Sequence, residues 1–193
     1  MMYGFFGIIG GEKSLIQIEL LIGLLTIAVI LPASVSAQGY GGIQGGNLLN
    51  IPDPLDYNLS EIEIADLRFM HSEEQMSHDL YAEWSEKYSL PVFDNIAQSE
   101  TTHTQSVKFL LDRYNLTPGS APTEIQDFSA SLKELGNKSL VDALSAGVKI
   151  EEQDIADLDR AIANTTREDL KTVYENLKSG SENHLAAFTK QLS

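Results

Sequence analysis

The chain has 193 residues, 42% of them apolar, and a formal net charge of −15 from 28 acidic and 13 basic side chains, which suits one compact domain with a terminal appendage. A charge of that sign excludes an electrostatic grip on nucleic acid or on an anionic membrane surface and is better matched to cation handling. Cysteine is absent, so zinc–thiolate sites, iron–sulfur clusters, disulfides and thiol nucleophiles are excluded, and any metal must take oxygen and imidazole ligands.

Residues 1–37 read as a signal peptide or a membrane anchor. The run LLIGLLTIAVIL from Leu20 to Leu31 is almost wholly apolar, Lys13 precedes it, and Val35-Ser36-Ala37 has the small-x-small pattern of a cleavage site. Glu12 and Glu19 are unusual in a cleaved leader. Counted from Leu15, the segment approaches the roughly 20 residues that cross a bilayer, so a retained anchor is the alternative. Either reading predicts an exported protein, extracellular or associated with the cell envelope, touching a membrane only through this segment if it stays uncleaved. Residues 38–58, containing QGYGGIQGGN and the Asp53-Pro54 step, read as a Gly/Pro-rich linker.

Residues 59–193 carry a helical pattern throughout, and no strand pattern competes with it. Ser60-x-x-Glu63 is a capping box opening a first helix, with Leu67, Met70, Tyr81 and Trp84 on its apolar side, ending near Leu90-Pro91. A second helix runs from Pro91, suited to a first turn, to about Tyr114, with Phe93, Ile96, Val107, Leu110 and Leu111 on one face. The segment Asn115–Gly136 holds Pro118, Gly119 and Pro122 and a weak helical piece around Ser129–Leu135, long enough for a crossover. Ser139-x-x-Asp142 opens a third long helix reaching about Ala163, and Thr166-x-x-Asp169 opens a fourth reaching Gln191. The predicted fold is all-α: two antiparallel helical hairpins joined by one long crossover, the ferritin-like form of a four-helix bundle.

Helical phasing then sorts the polar residues. Glu100-Thr-Thr-His103 places a carboxylate and an imidazole three residues apart in the middle of the second apolar stripe. Glu151 lies near the centre of the stripe of the third long helix, with Glu152 and Asp154 flanking it. His184 and Ser181 sit on the inner face of the fourth. On the first helix, Glu74 lies closer to the stripe than Glu73. Buried carboxylates at one level of a bundle need protons or cations between them, and metal ions meet that need. The candidate ligands are therefore Glu74, Glu100, His103, Glu151 and His184. A metal-free hydrogen-bonded pair of Glu100 and His103, and a satisfied core role for His184, are the bland alternatives. His71 and His78 bracket Glu74 and are expected to be partly exposed; Tyr81 and Trp84 are expected to pack in the core.

The segments SEEQMSHDLY, FDNIAQSETTH, GVKIEEQDIADL and GSENHLAAF resemble domain-of-unknown-function family 2202, of the ferritin-like superfamily, over residues 59–193. The resemblance implies a bundle with a carboxylate-bridged pair of metal ions. It assigns Glu74 as a terminal ligand, Glu100 and Glu151 as bridges, and His103 and His184 as holding one ion each. Ser181 departs from the superfamily pattern, which has a glutamate three residues before the last histidine; Asp154 or a water is the candidate substitute. Iron or manganese, as two ions, is the expected cofactor, with zinc as an option and oxygen or peroxide as a partner of the redox metals. Three function classes follow: a metal-dependent oxidase, peroxidase or ferroxidase; a metal-binding protein without turnover; and a structural or interaction module. A monomer or small oligomer is expected.

Overall fold

The computed structural model describes residues 50–193. The leader and most of the predicted linker lie outside the described residues. Those described form five α-helices and no strand: α1 (Glu61–Tyr88), α2 (Pro91–Arg113), α3 (Thr123–Gly136), α4 (Leu140–Asn164) and α5 (Glu168–Leu192). None of these helices is long and apolar enough to cross a membrane.

The helix ends follow local chemistry. At α1, the Ser60 hydroxyl accepts from the Glu63 backbone N–H while Glu63 accepts from the Ser60 N–H at 2.8 Å, a complete capping box. Ser89 closes the helix in the left-handed region at φ 51°, and Pro91 stands in the first turn of α2, so the two antiparallel helices are joined by two residues. Ser139 caps α4 through Asp142 N–H at 3.1 Å, as its spacing predicts.

Two expectations are corrected. The predicted box Thr166-x-x-Asp169 does not form. Instead α5 starts at Glu168 with no side-chain cap, and the Thr165 hydroxyl accepts from Arg167 N–H while donating to Glu63 at 2.6 Å. Asp169 is drawn into tertiary contacts, accepting from Tyr114 at 2.8 Å and Arg113 at 3.2 Å, and is no longer available to cap. The crossover helix is also twice as long as the predicted piece, because Ile125, Phe128, Leu132 and Leu135 recur at helical spacing and pack on the rest of the core.

The long helices pack as two hairpins, α1 with α2 and α4 with α5, with α1 against α4 and α2 against α5; α3 lies against α1 and α4. The core is divided in two. One apolar cluster holds Tyr81, Trp84, Phe93, Ile96, Ile150 and Phe188; the other holds Leu67, Met70, Val107, Leu110, Leu158, Leu170 and Leu177. Every long helix passes from one cluster to the other, and each carries buried polar residues at the crossing point. Helices α1 and α5 run one way, α2 and α4 the other, so the link from α2 to α4 must return the length of the molecule. That is the work of α3. The described end of the predicted linker is irregular but tied down: Ile51 is buried in the second cluster, Arg113 donates to the Pro52 carbonyl at 2.6 Å, and Arg167 pairs with Asp56 at 2.8 Å.

The end of α3 approaches α1 closely enough to need a glycine. A Cβ on Gly136 would fall 2.4 Å from the ring of the fully buried Trp84. Alanine for glycine ordinarily stabilises a helix by up to about 1 kcal/mol. Here Gly136→Ala is expected to lower stability by about 1–3 kcal/mol through overpacking, read as a reduced urea midpoint at unchanged slope.

Candidate metal centre

Between the two apolar clusters lies a layer of buried polar side chains: Glu73 and Glu74 of α1, Glu100 and His103 of α2, Glu151 and Asp154 of α4, Ser181 and His184 of α5. Each pair is three or four residues from apolar neighbours on the same helix face, so the periodicity that buries the core also buries the layer.

Glu100 is the hub. Its Oε2 lies 2.9 Å from His103 Nδ1 and its Oε1 lies 2.9 Å from His184 Nδ1, so one carboxylate spans two imidazoles. The same ring nitrogens meet two further carboxylates, Glu74 Oε2 at 3.2 Å from His103 and Glu151 Oε2 at 3.5 Å from His184. The rings stack with centroids 5.3 Å apart. Two half-sites result, one of Glu74 and His103 and one of Glu151 and His184, sharing Glu100. Ligand atoms of Glu100, His103 and His184 all lie within 4.8 Å of one another, so this buried group could hold a metal ion.

All five predicted ligands are thus brought together, with Glu151 on one side, beside His184. Tyr81 donates to Glu151 Oε1 at 2.5 Å, a contact that helical spacing alone could not assign. Asp154 is drawn inward as well. The Ser181 hydroxyl donates to its Oδ2 at 2.5 Å, so the side chain that replaces an expected ligand instead positions another carboxylate. The signal for Asp154 was its spacing: Glu151-x-x-Asp154 repeats the interval of Glu100-x-x-His103. Glu73, the less favoured of the two α1 glutamates, is buried too, because α1 packs against α2, α3 and α4 and has a wide inner face. His71 and His78 are half-buried and lie outside the cluster.

The donor set fits a cation on two counts. Glu74 Oε1, Asp154 Oδ1 and His184 Nδ1 are buried with no aligned hydrogen-bond partner. Unpartnered buried polar atoms cost about 1–3 kcal/mol each, and an ion would satisfy several at once. The proton affinities tell the same story. Burial, with the charge of Asp154, pushes the Glu74 carboxyl well above the usual range, and burial also raises Glu151. Burial and the charges of Glu151 and Glu100 push Asp154 up to about 8, against the Ser181 hydrogen bond. Burial alone would lower both imidazoles, but Glu74 and Glu100 hold His103 well above its ordinary value, and Glu100 and Glu151 hold His184 at about 9. Glu100 alone among these carboxyls is lowered: burial opposes ionisation, and the His103 charge and hydrogen bonds outweigh it. Without a cation, these shifts favour protons on every titratable member of the set but Glu100.

That arrangement sets a sign for pH dependence. Groups that bind protons more tightly folded than unfolded contribute stability that is lost as pH rises through the folded value. His184, raised from 6.5 to about 9, and Asp154, raised from 3.8 to about 8, both act in this direction. Metal-free protein is expected to lose on the order of 4 kcal/mol of stability between pH 6.5 and 9, read from urea midpoints. Affinity for Co²⁺ is expected to rise over the same interval, because binding must displace the protons.

Gly180 gives a second test of the geometry. A Cβ there would fall 2.5 Å from His103 Nε2. Gly180→Ala is expected to destabilise the protein when His103 is present and to stabilise it by up to about 1 kcal/mol in a His103→Ala background, a change of sign readable in a double-mutant cycle.

Comparison with known proteins places this arrangement in a family. Uncharacterized protein MJ0754 of Methanocaldococcus jannaschii is 43% identical over 143 residues, covering 70% of this chain and 77% of the relative. The crystal structure of hypothetical protein MJ0754 from Methanococcus jannaschii DSM 2661 matches with a TM-score of 0.67 at 41% identity, over 70% of this chain and 82% of that one. The model of the uncharacterized protein domain DUF2202 matches residues 63–193, so the chain belongs to the DUF2202 family.

Proposed function

We propose that this protein is a ferritin-like metal-binding protein whose helices α1, α2, α4 and α5 form a four-helix bundle around a dinuclear carboxylate–histidine site. Support for the bundle comes from the two hairpins joined through α3. The observation that carries the metal reading is the span of Glu100 between His103 and His184 at 2.9 Å on each side. Glu74 and His103 would hold one ion, Glu151 and His184 the other, and Glu100 would be shared. Iron or manganese, the metals best suited to oxygen and imidazole donors with open positions, would supply oxidase, peroxidase or ferroxidase-type electron transfer to oxygen or peroxide. Zinc fits the same donors without redox chemistry.

The chain's own residues prepare such a site. The apolar cluster of Tyr81, Trp84, Phe93 and Phe188 excludes water from one side, and Leu67, Leu110, Leu158 and Tyr174 exclude it from the other. Tyr81 orients Glu151 and holds its proton on the phenol oxygen, since burial and the Glu151 charge raise its proton affinity well above the ordinary phenol. Metal binding without turnover is the second reading. Its support is Ser181, which ties up one oxygen of Asp154 and leaves a thinner ligand shell than two full glutamate–histidine pairs would give. We also propose an exported, envelope-associated or extracellular location from the apolar leader, and a monomer or small oligomer.

Metal analysis after growth with iron, manganese or zinc tests the reading. Wild type is expected to retain about two ions, Glu100→Ala to lose both, and His184→Ala to lose at least one. Glu152→Gln, at an exposed position of α4 next to Glu151, is expected to retain them. Unchanged metal content in Glu100→Ala and His184→Ala would sink the proposal. Oxygen uptake on addition of ferrous iron then separates turnover from simple binding.

A further inference from the structure

A second acidic site lies on the side of the molecule covered by α3. A cavity of about 210 Å³ opens between α1, α3 and α4, with Glu73, Glu124, Gln153, Asp157 and Arg160 among its lining residues. Glu124, Gln153 and Arg160 are exposed at the mouth; Glu73 and Asp157 are buried at 2% and 3% exposure. Arg160 does not neutralise the whole pocket. Its guanidinium is committed to Asp157 and lies over the Phe69 ring at 5.2 Å, while Gln153 donates to the other Asp157 oxygen at 2.8 Å. Glu73 lines this cavity and is paired with Asp157 through its carboxyl, its Oε2 is left buried without a partner, and Glu124 adds a carboxylate at the rim.

We propose that this pocket is a divalent-cation site of its own, with Glu73 as its innermost ligand, and that it captures cations on their way to the Glu100 cluster. The space accommodates an ion that keeps part of its water shell, as hard divalent cations do. Asp157 offsets the Arg160 guanidinium, so Glu124 leaves the mouth net negative, which concentrates cations. The route inward is marked by unpartnered oxygens. Glu73, which lines the pocket, is the chain neighbour of Glu74, whose Oε2 lies 3.2 Å from His103 Nδ1. Glu73 Oε2, Asp154 Oδ1 and Glu74 Oε1 are buried acceptors without a partner that such a route would use. The Glu74, Glu100 and Glu151 carboxylates are 1–2% exposed, against 8% for His103 and His184. The capture role rests on the metal reading of the Glu100 cluster; the pocket site does not.

The test separates the two. Mn²⁺ binding is measured by electron paramagnetic resonance in the full chain carrying Glu100→Ala and His184→Ala, which disables the central cluster. One class of bound Mn²⁺ is expected to remain, to be lost on adding Glu73→Gln, and to weaken several-fold on adding the surface change Glu124→Gln, which leaves the fold untouched. If Glu73 instead shares a proton with Asp157 and binds nothing, neither added change alters Mn²⁺ binding, and the proposal is overturned. In the otherwise unaltered chain, Glu73→Gln is expected to slow Co²⁺ uptake, followed by its visible absorption, by at least ~10-fold at the same final occupancy. Equal uptake rates overturn the capture role. Retention of pocket Mn²⁺ with no Co²⁺ in the wild-type cluster would overturn the metal reading and leave the pocket site standing.

Discussion

One carboxylate reaching two histidines is the constraint around which the other helices are arranged. Glu100 contributes one oxygen to His103 on its own helix and the other to His184 on α5, and both rings then meet a second carboxylate, from α1 on one side and α4 on the other. All four long helices are tied to one point by charge-assisted contacts in a dry setting, where such contacts are strong and where leaving any member unpaired is expensive. A domain whose total stability is of order 10 kcal/mol cannot hold Glu74, Glu151 and Asp154 all ionised without compensation. Protons meet that need in the metal-free protein, and on the proposed reading a bound cation would meet it instead. Exchange of one for the other would be the chemical event that the proposed metal reading assigns to this layer.

The apolar halves make that event possible. Placing large aromatic side chains above the layer and aliphatic ones below it keeps the local dielectric low, so a missing counter-charge is felt in full. It also fixes the ligands: Trp84, Phe93 and Phe188 pack tightly enough that the Cβ a residue at Gly136 or Gly147 would add finds no room. Preorganisation of this kind places ligand atoms before an ion arrives, so little ordering remains to oppose binding.

Much of this was legible in the sequence, and the parts that were not share a cause. Capping at Ser60 and Ser139 and the inward faces of α2, α4 and α5 depend on contacts within a few residues, so spacing reports them directly. Asp169 was misread as a cap because its real partners, Tyr114 and Arg113, lie more than fifty residues away in the chain. Asp154 stood off the apolar stripe, and only the Ser181 hydroxyl of another helix explains why it turns inward. Glu73 ranks below Glu74 by spacing although both are buried, because a helix packed on three neighbours has no single buried stripe. The crossover helix was underestimated because its surface is rich in serine, lysine and acidic residues, and its apolar positions gain meaning only against α1 and α4.

The division of the core bears on how the molecule comes apart. The two apolar clusters share none of their buried members and are bridged only by the partly buried Phe69, so the plane between them is held by the helices passing through it and by the polar layer. An ion seated there would act as a rivet, fastening the upper half of the domain to the lower. Hydrogen exchange at the mid-helix amides near Glu100 and Glu151 would then report on occupancy as sensitively as on folding. The plane that divides the apolar core is the same plane in which the buried polar layer is assembled.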